Sequence, residues 1–540
     1  MEHLDTVLIL MAILAGLYSV ASKINISYPI VLVMAGLGIS LIPGLPVVQI
    51  TPEIVFLLFL PPLLFDAARH TSWHDFKKHS DSIGRLAIGL VLFTTAGVAV
   101  CAYYMIPGFT WPLAFVLGAI VSPPDAVAAT SAIKGLRLPK RLVAILEGES
   151  LVNDATALIA YRYAVIAAAS GGAFVLWQAA LEFVLVAAGG VVIGAAIGFI
   201  FTWVLKKLFD NAIVETILTL ILPFVSYIAA EDAGVSGVLS VVATGLVISW
   251  RAHEIFSFQT RMQMNGFWDT LIFLLNGFVF ILIGLELPVI VNDVQGHPLP
   301  HLVGYGLLIS AVVIVIRLVW IFPTVRISDW LRTRRGITVS DKTNGQLFIL
   351  GWSGMRGVIS LATALALPLV MDGGEAFPQR GTILFITFVV ILVTLVFQGL
   401  TLPLLIKWLG VSETEEREML EERRLRQVLV NSTLAFVNET LGPRLAEPAL
   451  AEVQGRLERQ ARYLDGMLAD DGVRNDDDLG QQRELFAQYL ESERAVIEHQ
   501  RDLLIQMHKK GAFSADVLKR IEQDLDSRSL TLEGRKQAYR

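Results

Sequence analysis

Residues 116–133 read VLGAIVSPPDAVAATSAI. The run is apolar or small except for a few hydroxyls and one carboxylate, Asp125. Two adjacent prolines, Pro123 and Pro124, stand in its middle. Proline has no backbone N–H and clashes with the preceding turn, so a pair of them breaks a helix and leaves earlier carbonyls without partners. In hydrocarbon such a break is tolerated only where the freed backbone packs on protein or lines a cavity. An ionisable group at membrane depth costs about 2.5–3.5 kcal/mol even on the lenient insertion scale. A proline kink alone is commonly structural; a kink with a mid-bilayer Asp points to a site.

Two further stretches extend this reading. Residues 141–163, RLVAILEGESLVNDATALIAYRY, form one long apolar helix carrying Glu149, Ser150, Asn153 and Asp154. At about 1.5 Å per residue, Asp154 lies roughly 18 Å in from Leu142, near the bilayer middle. Ser150 is four residues before Asp154 and shares its face. A hydroxyl, an amide and carboxylates at that depth are oxygen ligands, which suit a hard cation such as Na⁺. Helix–helix hydrogen bonding would account for Ser150 and Asn153, but not for a buried Asp154. Residues 347–367, LFILGWSGMRGVISLATALAL, set three glycines around Arg356, so a second local break is expected there. Arg356 cannot titrate and needs a carboxylate.

The whole chain has 540 residues, 54% of them hydrophobic, above the 45–50% usual for soluble domains. Thirteen spans are expected: Leu4–Val20, Tyr28–Ile42, Pro52–Ala68, Arg85–Ile106, Trp111–Ile133, Leu142–Ala169, Ala179–Leu205, Ala212–Ala230, Gly234–Trp250, Phe267–Val291, Leu302–Val325, Gln346–Leu369 and Thr382–Trp408. Eighteen Lys and Arg fall in alternate loops, at Lys23 and within 69–85, 134–141, 206–207, 251–261 and 326–342, against Arg380 alone in the others. The positive-inside rule then places the N-terminus outside and the C-terminus in the cytoplasm of a bacterial inner (plasma) membrane. The fifth and twelfth spans are seven apart and cross in opposite directions, the pattern of inverted repeats whose interrupted helices meet at a binding site. The fold class is an all-α polytopic membrane protein, with 13 transmembrane helices at 1–409 and a small helical tail at 410–540.

That tail carries half of the chain's charged residues and its whole net charge of −6. Glu413–Val437, Ala446–Leu468 and Gln481–Met507 read as cytosolic helices, separated in one place by an acidic break at Asp470–Asp478. No clustered basic face suggests nucleic acid. One cysteine, Cys101, excludes an intrachain disulfide. The start, MEHLDTVLIL, lacks the basic region of a signal peptide, so the first segment is expected to stay as a helix. No phosphate-binding loop supports ATP-driven pumping, and neither an enzyme activity nor a cofactor is indicated. Glu147, Glu182, Glu215 and Asp269 lie near span ends and are expected to be interfacial. His70, His74 and His79 fall in the first large inside loop, where a solvated basic segment is the simpler reading than a metal or pH site.

Taken together, SPPDAVAA, EGESLVNDATAL and GWSGMRGVISLA resemble the first branch of the cation–proton antiporters, the NhaP/NHE-like proteins, over about residues 1–409. The resemblance implies a homodimer whose core domain moves against a dimerisation domain. It implies Asp154 as the ion- and proton-binding carboxylate, Ser150 as a further Na⁺ ligand, and Asp125 and Asn153 completing the site at the crossing. Asp66, in LPPLLFDAARH, matches an acidic residue of the third span and would contribute. Glu149 and Arg356 would form a buried ion pair joining the sixth and twelfth spans. Arg317, in VIRLVWIFP, matches a structural arginine. The family commonly places proline directly after the span-five Asp; here the order is Pro123-Pro124-Asp125-Ala126, which shifts the expected break by a residue.

Desolvation disfavours a bare charge, so Asp154 can hold a proton near neutral pH and release it to an entering cation. With Asn at 153 beside it, one carboxylate carries one H⁺ or one Na⁺ (or Li⁺), and electroneutral one-for-one exchange by alternating access follows. K⁺/H⁺ exchange is the alternative, since nothing in the residues sets cavity size. A cation channel lined by acidic residues is more remote, and a sensor would need an output domain after Gly410 that the sequence does not show.

Overall fold

The computed structural model describes residues 2–24, 26–42, 55–133, 136, 138–170, 176–208, 211–294, 298–334, 344–371, 376–411, 415–444, 446–468, 476–510, 521 and 524–532. Among them there is no β-strand, only one isolated pairing of Val370 with Ala376. The chain divides into two compact units, Met1–Glu413 and Thr414–Arg540.

Each expected span falls on helix. In chain order these are α1 (Glu2–Ile24), α2 (Tyr28–Ser40), α3 (Leu60–His70, entered through a π-helical turn at Val55–Phe59), α4 (Trp73–Met105) and the broken α5, made of α5a (Trp111–Val121) and α5b (Ala126–Ala132). Then come α6 (Lys140–Ser170), α7 (Leu176–Leu208), α8 (Ala212–Asp232), α9 (Gly237–Ile255) and α10 (Phe258–Leu285, continued by Leu287–Asp293). The last three are α11 (Leu299–Arg334), the broken α12, made of α12a (Asn344–Trp352) and α12b (Val358–Leu365), and α13 (Arg380–Leu409). Seven of these helices are long and apolar enough to cross a bilayer, and shorter apolar helices lie at Leu8–Ile24, Tyr28–Ser40 and Gly237–Ala252. The first residues of the third span, 52–54, lie outside the described residues.

Two apolar cores organise the unit. One joins α1, α2, α4, α5, α10, α11, α12 and α13 through residues such as Leu117, Phe280, Ile309 and Ile386. The other joins α3, α8, α9 and parts of α6 and α10 through Phe65, Leu151, Leu222, Val241 and Trp268. The α7–α9 contact is set by small residues. Gly190, Gly194 and Gly198 recur every four residues along one face of α7, and a Cβ on Gly190 or Gly194 would strike the backbone carbonyl of Ser236 or Ser240. Such close approach lets polar groups bond across helices: Thr244 Oγ1 donates to the Gly194 carbonyl at 2.8 Å. Gly194→Val is therefore expected to destabilise the protein by about 1–3 kcal/mol through overpacking. Gly16→Ala, where a Cβ meets open space, should be neutral; thermal unfolding in detergent compares the two, and equal melting would refute the packing argument.

In the second unit, α14 (Glu415–Phe436) packs on α15 (Glu447–Leu468) through Val430, Leu434, Ala461 and Leu464. A third helix, α16 (Asp476–Lys510), begins inside the expected acidic break, so Asp476, Asp477 and Asp478 are helical there. Acidic side chains at a helix start are favoured by its dipole, which explains the earlier onset. Residues 470–475 of that break lie outside the described residues.

Candidate ion-binding site

The two interrupted helices meet at their breaks. The Asp125 N–H donates to the Met355 carbonyl at 2.6 Å, joining one break to the other. The Asp125 carboxylate caps α5b, accepting from the N–H groups of Val127 at 2.9 Å and Ala128 at 3.2 Å. It also accepts from the Val358 N–H at the start of α12b. Three orphan donors from two helix starts thus converge on one carboxylate, as helix N-termini favour. Gly357 is glycine because a Cβ there would run into this carboxylate.

Arg356 performs the converse task. Its Nε donates to the Val121 carbonyl at 2.9 Å, its Nη2 to the Ser122 carbonyl at 3.3 Å and its Nη1 to the Gly354 carbonyl. These are carbonyls freed where α5a and α12a end, the negative ends of two half-helices. Asn153 Nδ2 occupies a further one, donating to the Pro124 carbonyl at 2.9 Å. On the α12 side the Arg356 N–H donates to Thr394 Oγ1 at 3.0 Å, and Gln398 Nε2 to the Trp352 carbonyl at 2.9 Å. Thr394 and Gln398 stand on a π-helical segment of α13, Val393–Gln398, the kind of local unwinding often found at functional sites. Hydrocarbon would not tolerate these breaks bare; here their freed groups are matched by side chains from α6, α12 and α13.

The ion pair expected between Glu149 and Arg356 is corrected by this arrangement. Glu149 pairs with Arg317 of α11, Nη1 to Oε1 at 2.5 Å and Nη2 to Oε2 at 2.8 Å, with both residues 1% exposed. Arg317 also reaches the Leu350 carbonyl of α12a from Nη2 at 3.3 Å, so the pair ties α6, α11 and α12a together. Arg356 has its charge spread over carbonyls instead. Arg356, at a helix break, meets three backbone carbonyls; Arg317, in the intact α11, meets one and takes the carboxylate.

Beside the crossing lies a cavity of about 70 Å³, walled by Asp125, Ser150, Asp154, Asn276, Gly357 and Ser360 together with apolar side chains of α3. That is room for an ion with residual water. Asp154 is 4% exposed, and among the described residues its carboxylate makes no hydrogen bond and no ion pair. Asn153 is at the crossing but off the cavity wall. Asp66 is also off the wall: it binds Arg69 Nη2 at 2.8 Å, and the His70 ring approaches it at 3.3 Å. Arg69 in turn donates to Asn265 at 2.7 Å. These partners, three and four residues along the same helix, draw Asp66 away from the cavity. The Asp66 carboxylate in turn holds the His70 imidazole, beyond the end of the third span, above its ordinary pKa. Two expectations for the remaining acids and histidines change as well, since Glu215 and His79 are buried, 5% and 7% exposed.

Sequence reasoning missed Asn276 of α10 and Ser360 of α12b on the wall, and Thr394 and Gln398 behind it. Neutral polar residues inside spans carry little signal, because most serve helix packing. The short distance of Ser360 from the Gly357 break was the one available clue.

Two crossed half-helix pairs, each compensated by a charge from the other, beside a buried and unpaired carboxylate define a secondary cation transporter. Residues 9–408 match the family described as sodium/hydrogen exchanger, transmembrane, and the chain belongs to it. It is a multi-pass membrane protein that exchanges a monovalent cation for a proton. The sodium, potassium, lithium and rubidium/H⁺ antiporter of Bacillus pumilus is 32% identical over 469 residues, 84% of this chain and 68% of that protein. The Na⁺/H⁺ antiporter ApNhaP of Aphanothece halophytica is 31% identical over 446 residues, 81% of each chain. In fold the chain is similar to the sodium proton antiporter MjNhaP1 of Methanocaldococcus jannaschii, with a TM-score of 0.60 at 18% identity over 76% of this chain and 99% of that one.

Proposed function

We propose that the exchange is of Na⁺ or Li⁺ for H⁺, one for one and without net charge movement, at Asp154. The observation that carries this is a mid-helix carboxylate, 4% exposed, which lines a cavity at the crossing and has no partner among the described residues. Asp125, Glu149 and Asp66 are each matched by donors or cations; Asp154 alone of these four is left for an exchangeable partner. Desolvation penalises the bare anion, so Asp154 is neutralised either by a proton or by a cation, with Ser150 one turn away as a neutral oxygen ligand. Occupancy by one excludes the other, and that competition is the coupling. Asp125 holds the crossing in register and supplies negative potential from the adjoining wall, and Asn153 keeps the Pro124 carbonyl satisfied. The arginines 317 and 356 are structural.

The same reading takes the first unit as thirteen crossings in a bacterial inner membrane, N-terminus outside, working as a homodimer with lipid around it. The second unit is its cytosolic tail. The loop charge asymmetry supports the orientation. K⁺ as an additional substrate has one observation in its favour, the breadth of ions in the name of the Bacillus pumilus relative.

The test is dequenching of a pH dye in proteoliposomes under an imposed ΔpH, on adding Na⁺, Li⁺ or K⁺, for the wild type and Asp154→Asn. Na⁺ or Li⁺ should collapse the gradient, at a rate indifferent to membrane potential, and the variant should be silent. An Asp154→Asn protein that still exchanges, or steep voltage dependence in the wild type, would overturn the assignment.

A further inference from the structure

A serine or threonine inside a helix ordinarily satisfies its hydroxyl on the carbonyl four residues back. This chain does so repeatedly: Thr95 on Val91 at 2.8 Å, Thr156 on Val152 at 3.1 Å, Ser310 on Gly306 at 2.7 Å and Thr394 on Val390 at 2.8 Å. On α12b itself Thr363 bonds Ile359 at 2.7 Å. Ser360, three residues earlier on the same helix, does not. It is 1% exposed, and its Oγ is buried without a hydrogen-bond partner among the described residues.

The cause is the break. Ser360 is the third residue of α12b, so the residue four back is Arg356, which lies in the non-helical stretch between α12a and α12b. No helical carbonyl stands four residues back. A buried hydroxyl left this way is costly unless something else meets it, and a native interior rarely leaves one without a reason. Ser360 stands on the wall of the cavity that also holds Asp154 and Ser150. The wall therefore offers a carboxylate and one hydroxyl from α6 and, from the opposing half-helix, a second hydroxyl with unused lone pairs.

We infer that Ser360 Oγ is a direct ligand of the transported cation, supplying from α12b a neutral oxygen that complements Asp154 and Ser150 of α6. This rests on the reading of Asp154 as the exchange carboxylate, and it adds a consequence. With ligands from two helices that meet only at the crossing, the site closes around the ion from both repeats. A hydroxyl also acts differently on the two substrates. It coordinates a hard cation but is not needed for a proton held covalently on Asp154, so Ser360 should govern cation affinity and not proton affinity.

The experiment measures the half-saturating Na⁺ and Li⁺ concentrations, the maximal rate and the pH dependence in proteoliposomes. It compares wild type, Ser360→Ala, Ser360→Thr, Ser360→Cys and Asp154→Asn. Ser360→Ala should raise the half-saturating Na⁺ concentration about ten-fold with the maximal rate and pH dependence near wild type. Ser360→Thr, which keeps the hydroxyl, should restore it. Ser360→Cys nearly preserves volume and replaces a hard oxygen by a soft sulfur; it should behave like Ser360→Ala and answers the question should the alanine variant fold poorly. Unchanged Na⁺ affinity in both variants, beside a silent Asp154→Asn, would overturn the Ser360 assignment and leave Asp154 standing. A Ser360→Ala protein with equal losses in Na⁺ affinity, rate and melting temperature would assign Ser360 to packing and also overturn it. Exchange persisting in Asp154→Asn would remove the underlying reading itself.

Discussion

Arg317→Gln should lower stability by about 3–5 kcal/mol, because it leaves a buried carboxylate without its cation. Glu149 and Arg317 are each 1% exposed and joined by two bonds. Neither can reach water once its partner is gone. Glu149→Gln should be comparably damaging, leaving the guanidinium beside a neutral amide. The telling variant is the double one. Glu149→Leu with Arg317→Met removes both charges and keeps most of the volume, and such replacements of buried pairs are often neutral or stabilising by about 1–4 kcal/mol. Thermal unfolding of the purified protein in detergent should place both single variants far below wild type and the double variant well above either. If Arg317→Gln melts with wild type, the pair is not what fixes α6 to α11. If the double variant is no better than the singles, the loss is one of shape and not of charge.

The same pair shows where sequence reading succeeds and where it stops. Helix positions were legible because apolar runs of membrane length admit few alternatives. Both breaks were legible too: Pro123 and Pro124 forbid a continuous helix, and the three glycines around Arg356 invite a second interruption. Which carboxylate met which arginine was not legible. The sequence offers Glu149 to both Arg317 and Arg356, and nothing in either motif ranks them. The choice is made by the backbone: the ends of α5a and α12a expose the carbonyls of Val121, Ser122 and Gly354, which satisfy Arg356, whereas Arg317 in intact α11 meets only the Leu350 carbonyl among the described residues and pairs with Glu149. Asp66 illustrates a different limit. Its match to the family's acidic residue on the third span suggested the site, yet Arg69 and His70, one turn on, claim it. Ser360 and Asn276 escaped because an uncharged polar residue in a span is unremarkable until its partners, or their absence, are known.

Gly357→Ala should abolish exchange while leaving the protein folded. Space at Gly357 demands glycine. An added Cβ would occupy the position of the Asp125 carboxylate, which would have to leave the N–H groups of Val127, Ala128 and Val358. Two helix starts would then lose their cap together, and the cavity wall shared by Asp125, Gly357 and Asp154 would shift. Displacements of about 1 Å at a reacting centre cost on the order of 100-fold in rate, so transport should fall at least that far. Most residues of the two apolar cores belong to helices other than α5b and α12b and hold those helices in place, so the melting temperature should move little compared with Arg317→Gln. Gly304→Ala, where a Cβ meets open space, is the control and should transport normally. Near-normal exchange by Gly357→Ala would mean that Asp125 can be displaced without consequence, and that the crossing positions the cavity by some contact other than this one.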